Sequence, residues 1–154
     1  MAKKLQKWWL LVINYIQSIK MKPEQIKLVK KTWKILMGIN PTIIGDAFYS
    51  KLFTDHPAIR KLFPSDMNQQ YIKLVDMLTS IIMNLDHLES VSEEIIAMSN
   101  RHTGYGVKPA HYEMVGSALL WTLQKGLGAE WSDDIENAWI ACYQSLADTM
   151  IQNS

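Results

Sequence analysis

Apolar residues recur at steps of three and four along most of this sequence, the signature of helices with one buried face. Between 66 and 84 the stripe is Tyr71, Leu74, Val75, Leu78, Ile81 and Ile82, continued by Leu85. Met114, Leu119, Leu120 and Leu123 form a similar stripe between 109 and 126, and Ile135, Trp139, Cys142, Leu146 and Met150 another between 133 and 152. Each of the prolines at 23, 41, 57, 64 and 109 precedes such a run, and proline is accepted in a first helical turn but not inside a helix. Asn40, Asp55, Ser65-Asp66, Ser90-Val91-Ser92 and Ser132-Asp133 supply side-chain oxygens of the kind that cap helix starts. The pattern predicts helices over 24–37, 41–54, 57–62, 66–84, 92–102, 109–126 and 133–152, with no convincing strand. The expected fold class is therefore all-α, a single domain of six or seven helices, two of them short.

Length agrees with one domain: 154 residues can bury a sizeable core without staples. The single cysteine, Cys142, excludes an internal disulfide framework and any cysteine-rich zinc or iron-sulfur site. A reducing cytoplasm is the expected compartment, with Cys142 packed as a small apolar residue. The formal charge of +1 conceals an asymmetry. Lys3, Lys4, Lys7 and Lys20 precede the first acid, Glu24; from Met21 onward twelve basic side chains stand against 15 acidic ones, a net of −3. A mildly acidic body excludes nucleic acid as the expected partner, because phosphate binding needs a basic face.

Residues 1–20 read as an extension of the main domain, which is expected to occupy 21–154. The extension combines its lysines with Trp8-Trp9-Leu10-Leu11-Val12-Ile13 and Tyr15-Ile16, a basic amphipathic pattern. Its apolar run is too short to span a bilayer, and no small-residue cleavage site follows. Three readings stay open: an extra N-terminal helical segment packed on the domain or on a second copy, an upstream in-frame start, or attachment to the inner-membrane surface or a partner.

The most informative single residue is His102, at the end of a helical stretch in Arg101-His102-Thr103-Gly104-Tyr105-Gly106-Val107. Neutral imidazole is a good iron ligand, and no second metal-binding residue stands beside it, which suits one axial bond to a metal already held by a haem. A helix-capping or surface histidine is the competing local reading. His56 beside Pro57, His87 after Asp86 and His111 at a helix start read as solvated. Phe63, Leu74, Val115 and Leu119 are apolar residues suited either to general packing or to covering a flat porphyrin. Locally, Tyr49 reads as a core aromatic with its hydroxyl on a backbone acceptor, and Gln70 as a solvated polar residue.

From about 22 to 153 the chain resembles the globins, specifically the bacterial single-domain globins and the globin module of flavohaemoglobins. The resemblance is carried by Ala47-Phe48-Tyr49-Ser50-Lys51-Leu52-Phe53-Thr54-Asp55-His56-Pro57, by Lys61-Leu62-Phe63, by Gln70-Tyr71-Ile72-Lys73-Leu74, and by Arg101-His102 through Val107-Lys108-Pro109-Ala110-His111-Tyr112 with Val115-Gly116. Tyr49, Phe63, Gln70 and His102 fall in order at the family's spacings. The resemblance implies the globin fold, a 3-over-3 helical sandwich, binding haem b (iron protoporphyrin IX). It implies His102 as the proximal iron ligand, Phe63 stacked on the haem, and Leu74, Tyr112, Val115 and Leu119 as further haem contacts. Tyr49 and Gln70 are the implied distal donors to O2, NO or another small ligand. Gas held at a ferrous iron carries partial negative charge on its outer atom, so donors aimed at it stabilise the complex by about 1.5 to 3 kcal/mol each. Two such donors imply tight, slowly released oxygen.

Two departures from the family pattern shape the functional expectation. Flavohaemoglobins continue into flavin and nicotinamide domains, whereas the sequence given stops at Ser154, so a separate reductase is expected. Their proximal histidine also joins a tyrosine and a glutamate; Tyr112 matches the tyrosine, but the glutamate position falls at about Ser154. An incomplete network implies a weaker electron push to the iron. The leading expectation is an oxygen-binding bacterial globin that supports nitric oxide dioxygenation with its reductase. The alternatives are an oxygen carrier or store, and a haem-based gas sensor without turnover.

Overall fold

The computed structural model describes residues 21–87, 92–104 and 106–152. Six α-helices run in order as α1 (Pro23–Leu36), α2 (Pro41–Asp55), α3 (Asn68–Met83), α4 (Ser92–Gly104), α5 (Pro109–Leu127) and α6 (Asp133–Gln152). Two 3-10 turns, Pro57–Leu62 and Gly128–Glu130, complete the described residues, which contain no strand. The extension 1–20 and the Ser154 position lie outside the described residues, as do the predicted cap at Ser90-Val91 and the side chain of Met150.

Local chemistry explains the boundaries. Gln25 accepts the Lys22 amide at 3.1 Å ahead of Pro23 in the first turn of α1. Asn40 Oδ1 accepts from the Thr42 amide at 2.9 Å, and Pro41 opens α2. Ser132 Oγ accepts from the Ile135 amide at 3.3 Å at the head of α6. The third helix begins at Asn68 rather than the predicted 66, because the Asp66 carboxylate turns back to accept the Asn68 amide at 3.0 Å and holds the chain outside the helix. The segment 57–62 is 3-10 rather than α, a tight connector after Pro57.

In the two layers, α1, α3 and α4 lie over α2, α5 and α6, with α1 and α4 packing chiefly on α6, and α2 on both α3 and α5. Val75, Ile81, Ile82 and Leu85 from the first predicted stripe are buried, as are Leu119 and Leu123, and Ile135, Trp139, Cys142 and Leu146. The buried indoles and the Thr32 hydroxyl inside this core are paired. Trp139 Nε1 donates to Thr32 Oγ1 at 2.9 Å, and that hydroxyl donates to the Leu28 carbonyl at 2.7 Å; Trp33 Nε1 donates to Thr79 Oγ1 at 3.0 Å. The two indoles lie 5.9 Å apart, tying α1 to α6 and α3.

Close approach of α2 and α3 depends on Gly45. A Cβ there would lie 2.5 Å from Tyr71 Cβ, so only glycine permits this crossing. Tyr49 stands one turn along α2 and Gln70 precedes Tyr71 on α3, so the crossing brings these two side chains together.

Candidate functional site

Tyr49 is 4% exposed and lies inside an aromatic cluster. Its ring centroid is 4.8 Å from Phe48, 5.3 Å from Phe63, 5.8 Å from Phe53 and 5.9 Å from Tyr71. Gln70 Nε2 donates to Tyr49 Oη at 3.2 Å. The phenol oxygen is thus already an acceptor, and its own hydrogen has no acceptor among the described residues. Burial pushes the Tyr49 pKa up to about 12, opposed by the Gln70 hydrogen bond, so the phenol remains a neutral donor throughout the physiological range. A buried donor aimed at no protein acceptor is costly unless a ligand completes it.

Phe63 is fixed by its own segment. Arg60 straps the turn, donating to the carbonyls of Phe63 at 3.2 Å, Pro64 at 2.9 Å and Ser65 at 3.2 Å, while its guanidinium covers the Phe53 ring at 5.1 Å. Sequence reasoning passed over Arg60 and Phe53, although an arginine one turn before a Phe-Pro pair is a signal for such a strap.

His102 sits in the last turn of α4, half-buried. Its Nδ1 lies 2.7 Å from the Met98 carbonyl, and because a carbonyl can only accept, Nδ1 carries the proton and Nε2 presents its lone pair. Burial holds the imidazole below its ordinary pKa range; the Met98 carbonyl opposes this and the neighbouring Arg101 adds to it. A neutral, oriented imidazole with Nε2 available is the donor a metal requires. Among the described residues no three histidine, cysteine, aspartate or glutamate side chains converge.

Tyr112 is buried, in a small cluster with Ala147 that Met98, Val107 and Tyr143 cover. The His102 carbonyl accepts the Val107 amide at 3.0 Å, so His102 and Tyr112 share the same framework through Met98 and Val107. Tyr143 Oη donates to the Tyr112 carbonyl. Its ring fits a notch at Gly116, where a Cβ would meet Tyr143 Cε1 at 2.5 Å. No sequence motif singles out Tyr143, and Gly116 carries the family resemblance only beside Val115.

The predicted site residues thus fall into three groups. Tyr49, Phe63 and Gln70 come together in one group, and His102 and Tyr112 are linked through Met98 and Val107 in a second. Leu74 and Leu119 share the wall of an apolar cavity with Phe48, while Val115 packs half-buried against the main core. His56 and His111 are half-buried rather than fully solvated. His111 is used structurally: its Nδ1 accepts the Lys108 amide at 3.0 Å and closes the start of α5.

An all-helical fold, with an oriented imidazole at a helix end and a part-buried phenol-amide pair elsewhere, gives a helical domain with donors able to hold a small ligand. Sequence comparison then gives the family. The globin family profile matches residues 46–150, and the chain belongs to the globin family. It is 32% identical over 130 residues to the flavohemoprotein of Bacillus subtilis, covering 82% of this chain and 32% of that protein. The chain thus spans about a third of the length of the curated relatives it matches. Its fold matches a bacterial globin from Campylobacter jejuni with a TM-score of 0.76, 24% identity and coverage of 86% of this chain and 95% of that one. It also matches the engineered carbene transferase RmaNOD from Rhodothermus marinus, with a TM-score of 0.79, 23% identity and coverage of 86% and 92%. Among the described residues no helix is long and apolar enough to cross a membrane.

Proposed function

We propose that this globin binds haem b through His102 and holds a diatomic gas against Tyr49, and that with electrons from a separate reductase it converts nitric oxide and oxygen to nitrate. The observation that carries this reading is the buried Tyr49 hydroxyl, whose oxygen is engaged by Gln70 and whose hydrogen awaits an acceptor. The donor set also fits: one neutral imidazole with a free Nε2 suits an iron whose remaining in-plane ligands come from a macrocycle. Haem, when bound, supplies an iron that takes a gas ligand and changes oxidation state by one electron.

The chain's own residues do the rest. Met98 orients the His102 ring and enriches Nε2 by accepting from Nδ1–H. Phe63, Leu74, Val115 and Leu119 provide apolar cover for a flat ligand and exclude water. Tyr49 donates to the charge that develops on the outer atom of the gas. Gln70 gives one N–H to Tyr49, fixing the phenol, and retains a second N–H for the ligand. The overall reaction balances as NO plus O2 plus one electron giving nitrate, the electron coming from the reductase.

The test is the absorption spectrum of the purified, haem-reconstituted protein, oxidised and reduced, beside His102→Gly with and without added imidazole. A Soret band in the parent, its loss or displacement in the variant and its restoration by imidazole are expected. No Soret band in the reconstituted parent overturns haem binding. Nitrate production under excess nitric oxide with a flavin reductase is the second measurement; rapid reduction without nitrate overturns the dioxygenase and leaves gas holding.

A further inference from the structure

Charge is distributed very unevenly along this chain. Residues 1–34 hold nine lysines, at 3, 4, 7, 20, 22, 27, 30, 31 and 34, against one acid, Glu24, a net of +8. Residues 35–154 hold seven basic side chains against 14 acidic ones, a net of −7. On α1 the exposed positions Glu24, Lys27, Lys31, Lys34 and Ile35 recur at steps of three and four, so they form one outward stripe, with Val29, Thr32, Trp33 and Leu36 buried on the other side of the helix. Among the described residues the ion pairs are Lys30 with Asp86 and Lys51 with Asp55, which leaves Lys27, Lys31 and Lys34 unpaired. We infer that this stripe is a docking surface for an anionic phospholipid bilayer, which the protein meets with the outer face of α1 against the headgroups. The inference concerns the chain with or without haem and does not rest on the gas chemistry above.

The kind of charge and its company select a lipid surface over other polyanions. Every basic side chain in residues 1–34 is a lysine, and none is an arginine, whose planar fork suits the paired contacts of nucleic-acid recognition. A lysine is a point charge on a flexible stem, matched to headgroups that diffuse and present no fixed geometry. Apolar residues accompany the charge: Ile35 in the stripe is 41% exposed, and the sequence ahead of α1 carries Trp8-Trp9-Leu10-Leu11-Val12-Ile13 and Tyr15-Ile16 between lysines. A duplex backbone offers such side chains nothing, whereas the boundary between headgroups and acyl chains accepts them, and stable attachment takes an apolar element together with a polybasic patch. The asymmetry also sets orientation, because an anionic surface attracts the +8 portion and repels the −7 remainder. Charges on a surface are screened over about 10 Å at 0.1 M salt, so only a face lying directly on the bilayer contributes. Each lysine brought there tightens attachment about fivefold. Glu24 subtracts one charge at the head of the stripe, and Asp86 neutralises Lys30 beside it.

The test is cosedimentation of the full chain, with and without haem, with vesicles of phosphatidylcholine alone or mixed with phosphatidylglycerol. Lys27→Gln/Lys31→Gln/Lys34→Gln discharges the stripe, and Lys61→Gln/Lys73→Gln/Lys108→Gln makes the same change of net charge at exposed positions elsewhere; circular dichroism confirms that both fold. Binding to the mixed vesicles is expected, weakened about tenfold or more on phosphatidylcholine alone, in high salt and in the stripe variant, and within twofold of the parent in the control variant. A second measurement keeps the charge intact: a nitroxide on Ile35→Cys is expected to become shielded from a water-soluble paramagnetic relaxer when vesicles are added, while one on Ile72→Cys, 48% exposed on α3 in the parent, stays accessible. Cys142 is buried and does not compete for the label. No binding to the mixed vesicles, a stripe variant that binds like the control, or equal shielding at the two labels overturns the docking surface. Attachment to duplex DNA at matched phosphate concentration that is as tight, and is lost in the same stripe variant, also overturns it and makes the partner a nucleic acid. Failure to take up haem while vesicles still bind counts against the proposed function and leaves the docking surface supported.

Discussion

Replacing Tyr49 with phenylalanine isolates the one group on which the gas-holding reading turns. The side chain is 4% exposed, so water does not replace the lost hydroxyl, and the ring retains its contacts with Phe48, Phe53, Phe63 and Tyr71. What disappears is the donor to the ligand and the acceptor for Gln70 at 3.2 Å. A hydrogen bond to a charged acceptor contributes about 1.5 to 3 kcal/mol, which corresponds to about a ten- to hundredfold faster oxygen dissociation. Stability changes little, by under about 1 kcal/mol, because the variant removes a buried donor that the protein itself leaves unmatched. Gln70→Leu leaves the phenol in place but unheld and removes the N–H proposed for the ligand, and its effect is expected not to exceed that of Tyr49→Phe. If Gln70 works mainly by fixing Tyr49, adding Gln70→Leu to Tyr49→Phe changes the rate less than it does in the parent, a coupling that a double-mutant cycle measures. Stopped-flow displacement of oxygen by CO is the assay. A Tyr49→Phe rate within twofold of the parent, or a Gln70→Leu effect exceeding it, refutes the assignment.

Thr32→Val keeps the shape of the side chain but strips the buried Trp139 indole of its acceptor, costing about 1 to 3 kcal/mol; a lower urea midpoint at unchanged slope is expected. Gly116→Ala forces a methyl against the Tyr143 ring and costs about 1 to 3 kcal/mol by overpacking, with partial recovery in Gly116→Ala/Tyr143→Leu. Alkaline stability follows from acids raised by burial, Cys142, Tyr49 and Tyr143 among them. Burial pushes Cys142 and Tyr49 each up to about 12, so from the ordinary thiol range upward the unfolded chain loses protons first. Stability is then full below about pH 8.5 and falls by about 1.4 kcal/mol per pH unit per group, from about pH 8.5 for the thiol and from about pH 10 for each phenol, as pH rises towards 12. Urea unfolding from pH 8 to 11 measures this, and Cys142→Ala is expected to remove the portion lost between about pH 8.5 and 10.

Helices were legible because burial on one face imposes a period that the sequence must obey, and the α6 start at Asp133 was legible from the Ser132 cap. The α3 start was less legible: Asp66 has the composition of a cap, but its carboxylate reaches only two residues ahead and fixes a turn. At the candidate site, family order predicts Tyr49, Phe63, Gln70 and His102, and the structure places Tyr49 beside Phe63 and Gln70. Their supports were not legible, since the Arg60 strap and the Tyr143 bond to a backbone carbonyl leave no periodic trace and depend on which helices cross. Gly45 and Gly116 show the same gap from the other side. A glycine inside a helical pattern reads as a weak former, and only the crossing partner, Tyr71 or Tyr143, reveals why a side chain is forbidden there.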